Sequence, residues 1–501
     1  MELIFQEQTV RFLAETVYDG LCQEQTAEMT VPETMPEIAR IVDCFGTVTV
    51  QNRVVENGSV SVTGGIQAGV LYVPAEDETR LERIDVYLPF TVTKKVPTRE
   101  DATLFYWGWL RSVEARFINA RKILVRAGLC SELTLLSPAE LSVSCLGKAP
   151  AELACLTHTY PLRLPVCAAE KELQLADELL MPEDGPGADR LLKWTCGVEI
   201  EESRVIGEKA VFKGSLRIRV LFSSDSGRLA AWEGTVPFSQ YAELDRAVEE
   251  GGVSIQPILR HVEIDTDGQL DSRRLLLNVS LTAQITVRAD VPVTLTEDAY
   301  ALRGSFTPSW QTLPLSPLLD SRSLPLTANL PIPPEAERVL DWTLLPDCPA
   351  QSVPGPAAPS LRVNLVYFDR DRTLRGKVVQ QPVQTDFVRA EGEAGRCVLL
   401  PGGGASLRAG SLEIPLRLDC ETVRAETWRN LCGGTLEPAQ GGDRPSLTVR
   451  RVSGPLWEVA KAGGSTVEAL MAANHLDTDC LEEERLLLIP AGRIPAKEEE
   501  A

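Results

Sequence analysis

Histidine is nearly missing from this chain. Its 501 residues hold three, His158, His261 and His475, far apart in sequence. Zinc needs clustered His and Cys ligands, and none of the twelve cysteines stands in a Cys-x-x-Cys pair. No metal site and no cofactor are expected. Long apolar runs are missing too: nothing approaches the roughly 20 residues of a membrane-crossing helix. The first residues, Met1-Glu2-Leu3-Ile4-Phe5-Gln6-Glu7, lack the basic and apolar regions of a signal peptide. The expectation is therefore a chain that stays in the cytosol with its thiols reduced. Basic blocks are absent as well. Fifty Lys and Arg stand against 71 Asp and Glu, a formal charge of −21. That balance argues against nucleic acid and against anionic membrane as partners.

Catalytic signatures are also lacking. There is no Gly-x-Ser-x-Gly elbow, no His-Glu-x-x-His and no phosphate-binding loop. Gly402-Gly403-Gly404 is followed by neither Lys nor Ser/Thr and reads as a hairpin tip. Asp265/Asp267, with Gly268 beside them, and Asp369/Asp371 read as turn residues between strands. A protein that is not an enzyme is expected.

What the sequence does contain is a repeat of about 150 residues. Pro36-Glu37-Ile38-Ala39-Arg40-Ile41-Val42 returns as Pro186-Gly187-Ala188-Asp189-Arg190-Leu191-Leu192 and again as Pro334-Glu335-Ala336-Glu337-Arg338-Val339-Leu340. Pro can pre-set the opening turn, and Arg can tie strand ends together through a carboxylate. A strand-like segment follows in each copy: Ile66 to Tyr72, Leu216 to Phe222, and Leu361 to Tyr367. In the second copy Leu216, Ile218 and Val220 alternate with Arg217 and Arg219, the signature of a half-buried strand. Each copy then reaches a second Pro, at Pro89, Pro237 and Pro382. Short strands punctuated by Gly and Pro predict β-sandwich or barrel-like units. The third copy is degenerate, with a Pro-rich insertion from Pro349 to Pro359. Val10 to Leu21 reads equally as a helix or a strand.

The tail differs. Leu456, Val459 and Ala460 share one helical face, and Val467, Leu470, Met471 and Asn474 another. Ser465 and Glu468 fit a capping box. Val449 and Val452 suit an entering strand, and Leu486, Leu488 and Pro490 a leaving one. The order is strand, helix, helix, strand. Trp457 reads as core of this unit.

On these motifs the repeat resembles the SPOCS domain, a spore-coat module found in tandem copies in endospore-forming bacteria. The tail resembles a LysM module, which grips N-acetylated glycans or, in some proteins, another protein. The combination is similar to the architecture of the SipL family of spore-coat morphogenesis proteins. The resemblance implies a mainly β chain of three tandem SPOCS repeats plus a small α+β LysM domain (βααβ). Its expected divisions are an N-terminal segment 1–24, repeats at 25–150, 165–300 and 318–436, and the LysM at 448–492. It implies a non-enzymatic scaffold in the mother-cell cytosol, recruited to the forespore surface. Its partner would be the coat basement-layer ATPase, stage IV sporulation protein A. The alternative is a wall or cortex protein binding peptidoglycan or chitooligosaccharide, glycans that contain N-acetylglucosamine. In a LysM-like fold the contact surface is formed by two loops, here Ser453, Gly454, Pro455 and Leu456 with Asn474, His475, Leu476 and Asp477. The usual Gly-Asp-Thr turn is replaced by Ser453-Gly454-Pro455, which turns the expectation from glycan toward protein.

Overall fold

A computed structural model describes residues 3, 5–56, 58–97, 101–147, 149–224, 226–267, 272–347, 355–408, 410–424, 426–437 and 445–491. Six strands make a first unit: β1 (Phe5–Thr30), β2 (Ile38–Glu56), β3 (Ser59–Pro74), β4 (Glu82–Lys95), β5 (Thr103–Asn119) and β6 (Lys122–Leu146). Six more make a second: β7 (Leu153–Leu180), β8 (Arg190–Ile206), β9 (Lys209–Ser223), β10 (Leu229–Glu243), β11 (Gly251–Thr266) and β12 (Arg274–Ala301). The third is more broken: β13 (Ser305–Leu315), β14 (Leu318–Pro331), β15 (Ala336–Asp347), β16 (Gly355–Pro356), β17 (Ser360–Asp369), β18 (Leu374–Pro382), β19 (Val388–Arg389), β20 (Glu393–Pro401), β21 (Ser406–Arg408), β22 (Ser411–Arg424) and β23 (Glu426–Glu437). The tail holds β24 (Leu447–Pro455), α1 (Leu456–Gly463), α2 (Val467–Asn474) and β25 (Cys480–Pro490). The chain is mainly β, with its two described helices in the tail. Among the described residues no helix is long and apolar enough to cross a membrane.

Each unit faces one antiparallel sheet against another. The inner sheets run β2-β3-β4, β8-β9-β10 and β15-β17-β18. The outer sheets run β1-β6-β5, β7-β12-β11 and β14-β22-β20. Each pair of sheets encloses one apolar core. The strand-like segments of the repeat are the central inner strands β3, β9 and β17. Tyr72, Phe222 and Tyr367 occupy one register position, paired with Ile41, Leu191 and Val339. All three are buried. Just beyond each pair the register slips by one residue, so Val42, Leu192 and Leu340 bulge out of their ladders. Pro89, Pro237 and Pro382 sit on the edge strands β4, β10 and β18, where a missing N–H is tolerated.

The bulges bring the units together. Val42, Leu192 and Leu340 share a single apolar cluster with Leu71, Leu221 and Val366 and with Leu81, Leu229 and Leu374. Every unit contributes the same three positions. The next residue along each first strand is charged: Asp43, Lys193 and Asp341. Lys193 Nζ lies 2.8 Å from Asp43 Oδ2 and 2.7 Å from Asp341 Oδ2. Lys193 is 1% exposed. Arg219 Nε donates to Asp341 at 2.7 Å, and Asn364 Nδ2 donates to Asp43 at 3.2 Å. Burial opposes the charge on Lys193, but Asp341 and Asp43 outweigh it and hold its pKa above the ordinary value. Burial likewise opposes ionisation of Asp341, and Lys193 and Arg219 outweigh it and hold that pKa below the ordinary value.

Other bonds run the same way around. Arg190 of the second unit donates to Leu81 O and pairs with Glu82 of the first. Arg40 of the first donates to Leu374 O of the third. The carboxylate beside this Arg is Glu82 across the seam for Arg190 and Glu78 of its own unit for Arg40. Arg338 is exposed. Gln284 of the second unit bonds both Tyr106 N and Tyr106 O of the first, capping a sheet edge. Glu132 pairs the first unit with Arg396 of the third, and Glu421 pairs the third with Arg288 of the second. The three units thus close on one another in a cycle.

Several expectations change. The divisions at 24/25 and 164/165 fall inside β1 and β7, which run without a break into the outer sheets. Val10 to Leu21 is strand. The distal halves of the long strands converge on an apolar layer of Val10, Val143, Leu162, Val293 and Leu313. Cys22 and Cys130, opposed on β1 and β6, are joined as a disulfide, against the expectation of reduced thiols. Asp369 does organise a turn, accepting from the N–H groups of Asp371 and Thr373. Gly268 and residues 349–354 of the Pro-rich insertion lie outside the described residues.

Two predictions follow from this packing. Phe222→Ala removes a fully buried ring and lowers unfolding free energy by about 3–5 kcal/mol, read by urea denaturation. Lys193→Met leaves Asp43 buried without its cation and Asp341 with Arg219 alone, and costs about 3–5 kcal/mol. The native contribution of Asp341, whose pKa is depressed, is present above the ordinary carboxylate pKa and lost as pH falls through the depressed value. That of Lys193, whose pKa is raised, is present below the ordinary lysine pKa and lost as pH rises through the raised value. A stability–pH profile of Lys193→Met should lose the alkaline limb and keep a weakened acid limb, since Arg219 still holds Asp341, and a profile parallel to wild type would refute the assignment.

Candidate functional site

The tail folds as a two-stranded sheet carrying two short helices. Leu456, Val459 and Ala460 are buried on α1 and Leu470 on α2, as their spacing requires. Leu487 and Ile489 of β25 fill the same cluster. The cap of α2 is Thr466, whose hydroxyl accepts from Ala469 N at 3.1 Å. The capping box expected at Ser465 is therefore corrected by one residue. Ser465 is instead fully buried, and its carbonyl accepts from Tyr300 OH of the second unit at 2.8 Å.

The expected contact loops divide into structural and exposed residues. Leu456 is fully buried and belongs to the core. Leu476 is half-buried against the same cluster. The Asn474 amide donates to Leu470 O and Leu488 O, and its oxygen accepts from Leu488 N. That side chain fastens α2 to β25 and is spent. Gly454 has φ +87°, a turn conformation that suits glycine. His475 closes α2 in the left-handed region at φ 53°. Ser453, Pro455, His475 and Asp477 remain exposed.

An apolar face of the tail sheet went unnoticed in the sequence. The register pairs Val449 with Leu488 and Leu447 with Pro490, and sets Arg451 opposite Leu486. Opposed residues of an antiparallel pair share a face. Leu447, Val449, Leu486 and Leu488 are 49%, 53%, 62% and 40% exposed. The signal was legible: Leu486-Leu487-Leu488-Ile489 is apolar at every position, yet only one face of a two-stranded sheet is covered by these helices. The other face must show leucine to water.

The tail is seated on the end of β12. Trp457 Nε1 and Lys461 Nζ both donate to Asp298 Oδ2, at 2.8 and 2.6 Å. The Trp457 ring meets Tyr300 edge-on at 4.9 Å. Trp457 thus lies at a seam between tail and second unit, not solely in the tail core. Burial opposes the Asp298 charge, but Lys461 and Trp457 outweigh it and hold its pKa below the ordinary value.

A second candidate site lies among the three units. A cavity of about 370 Å³ is lined by each of them, including Trp107, Trp109, Arg217, Glu132, Cys397 and Trp342. Burial pushes the Glu132 carboxyl up, despite Arg396 at 2.8 Å. Arg217 pairs with Glu199 and Glu233.

With this geometry in hand, one comparison is informative. The family model of the SipL SPOCS domain matches residues 188–267. The matched stretch runs from the start of β8 past the end of β11 and carries Arg190, Lys193, Arg219 and Phe222. It supports kinship of the second unit with the SipL family. No curated protein and no solved structure matches the chain.

Asp298→Ala should release the tail from its seat. Losing one half-buried acceptor of two donors costs about 1 kcal/mol locally. Hydrogen exchange in α1 should accelerate about tenfold or more while β9 stays protected. Unchanged exchange in α1 would show that Asp298 does not hold the tail.

Proposed function

We propose that this protein is a non-enzymatic assembly scaffold of the spore envelope that docks through its C-terminal module. The SPOCS match over the second unit supports the sporulation setting, and the resemblance of the tail to a LysM supports docking. The carrying observation is the outward face of β24 and β25, four exposed apolar side chains on a module seated by Asp298 and Tyr300. Buried apolar anchors dominate protein interfaces, and a prepaid orientation lowers the cost of binding. The proposed partner is the coat basement-layer ATPase, met in the mother-cell cytosol and leading to recruitment at the forespore surface. Tandem units closed into one body would give the docked module a broad surface for further coat proteins.

Leu476 contributes to the tail core, so a charge there would confuse folding with binding. Leu486→Glu combined with Val449→Glu alters the exposed face alone. In affinity capture with the purified ATPase, this variant should bind at least about tenfold more weakly at unchanged thermal unfolding. Deletion of residues 448–501 should abolish capture. Capture that survives the deletion contradicts docking through the tail. Tight binding of the full chain to chitooligosaccharide, with no capture of the ATPase, would favour the wall-binding alternative.

A further inference from the structure

The cavity among the three units holds polar atoms that nothing satisfies. Glu132 Oε1 lies 2.8 Å from Arg396 Nε, yet the N–H is not aimed at it, and among the described residues neither atom has a hydrogen bond. Thr343 Oγ1 lacks one as well. All three residues line the cavity, and Glu132 and Thr343 are only 7% and 4% exposed. A buried polar atom left unpaired costs stability, so each such atom in a folded protein asks for a partner. At about 370 Å³ the space exceeds what a single water fills and falls in the range of small-molecule sites. Val17 and Asp19 of its wall are exposed, so it opens outward.

The wall tells which chemistry fits. Trp107 of β5 is the direct register partner of Glu132 on β6, so indole and carboxyl stand side by side on one face. Trp109 shares that face, and its Nε1 donates to Asp347 Oδ1 at 3.0 Å, which fixes the ring. The charges around Glu132 do not balance. Burial pushes its carboxyl up in spite of Arg396, and Asp19, Glu421 and Glu15 add to the effect. Arg288 is already shared between Glu15 and Glu421. Arg217, also in the wall, is held by Glu199 and Glu233 and adds no uncompensated positive charge. A carboxyl short of countercharge beside an indole face receives an organic cation, which the acid attracts by a charge-assisted hydrogen bond and the ring by its negative face. Trp342 of the same wall already holds a cation this way, with Arg219 Cζ 3.6 Å from its ring centre.

We propose that this cavity is a binding site for a primary organic ammonium with an apolar body. The ammonium donates to Glu132 Oε1 beside the Trp107 ring. The body packs on the apolar part of the wall, which includes Leu110, Ile258 and Leu345. Trp107 and Glu132 belong to the first unit, Ile258 to the second, and Arg396 and Leu345 to the third. The site therefore exists only when the three units are closed on one another, and its occupant would bind the closed body alone and stabilise it.

The test is titration calorimetry of the full chain at neutral pH with three probes that share a phenyl body: phenethylamine, phenethyl alcohol and hydrocinnamate. The amine should bind saturably and at least about tenfold more tightly than the alcohol, and the anion more weakly still. Glu132→Gln should weaken the amine by about tenfold or more and leave the alcohol unchanged. Trp107→Leu keeps the Glu132–Arg396 pair and should weaken the amine about fivefold. The proposal is overturned if the amine does not saturate, or if the alcohol or the anion binds as tightly. Full amine affinity in a folded Glu132→Gln overturns it too. If thermal unfolding shows that Glu132→Gln does not fold, undiminished amine affinity in Trp107→Leu overturns it instead.

Discussion

One lysine holds the arrangement of this molecule. Lys193 sits between Asp43 and Asp341, with Arg219 and Asn364 completing the set. The positions of Asp43, Lys193 and Asp341 are equivalent in their three units. Identical repeats would place three like charges there, which no buried site tolerates. Asp, Lys and Asp with one added Arg sum to zero. The same break in symmetry appears on the central inner strands, where Arg219 and Asn364 answer to Gly69. Removing ions from water is expensive even when they pair. The gain is an assignment: each unit fits only its own place in the cycle, and the apolar contacts of Val42, Leu192 and Leu340 are set by it.

That closure explains which features were legible in the sequence. The opening Pro-x-x-x-Arg and the alternating central strand are local patterns, and the structure places them at matching positions. Tyr72, Phe222 and Tyr367 coincide because each follows the same bulge. Lys193 was not legible, because a lysine beside Trp194 looks like any solvated strand residue until another unit covers it. That Arg190 would find its carboxylate in another unit was not legible for the same reason, since its partners stand more than a hundred residues earlier. The limits of the units were missed where long strands run on into a shared distal layer, past the point where the repeat motif fades. In the tail, helix faces followed from spacing, yet Leu456 and Asn474 were structural and the exposed leucines of β25 were overlooked. Leu486 and Leu488 were placed on a strand, but which of its faces the helices leave uncovered was not read from the pattern.

Body and tail are joined so that the orientation of one fixes that of the other. Tyr300 and Asp298, near the end of β12 where it still pairs with β7, meet Ser465, Trp457 and Lys461. A module hung on a loose linker would present its face in all directions. Here the apolar strands β24 and β25 are held relative to the second unit. The acidic surface adds solubility to a body with an exposed apolar patch.

The three units are one cooperative body and not beads on a chain. Scanning calorimetry of the full chain tests this most directly, since independent domains melt independently and a closed cycle cannot. The account predicts that the units unfold in a single transition whose calorimetric and van't Hoff enthalpies agree. Resolved transitions for separate units, each with its own midpoint, would contradict it.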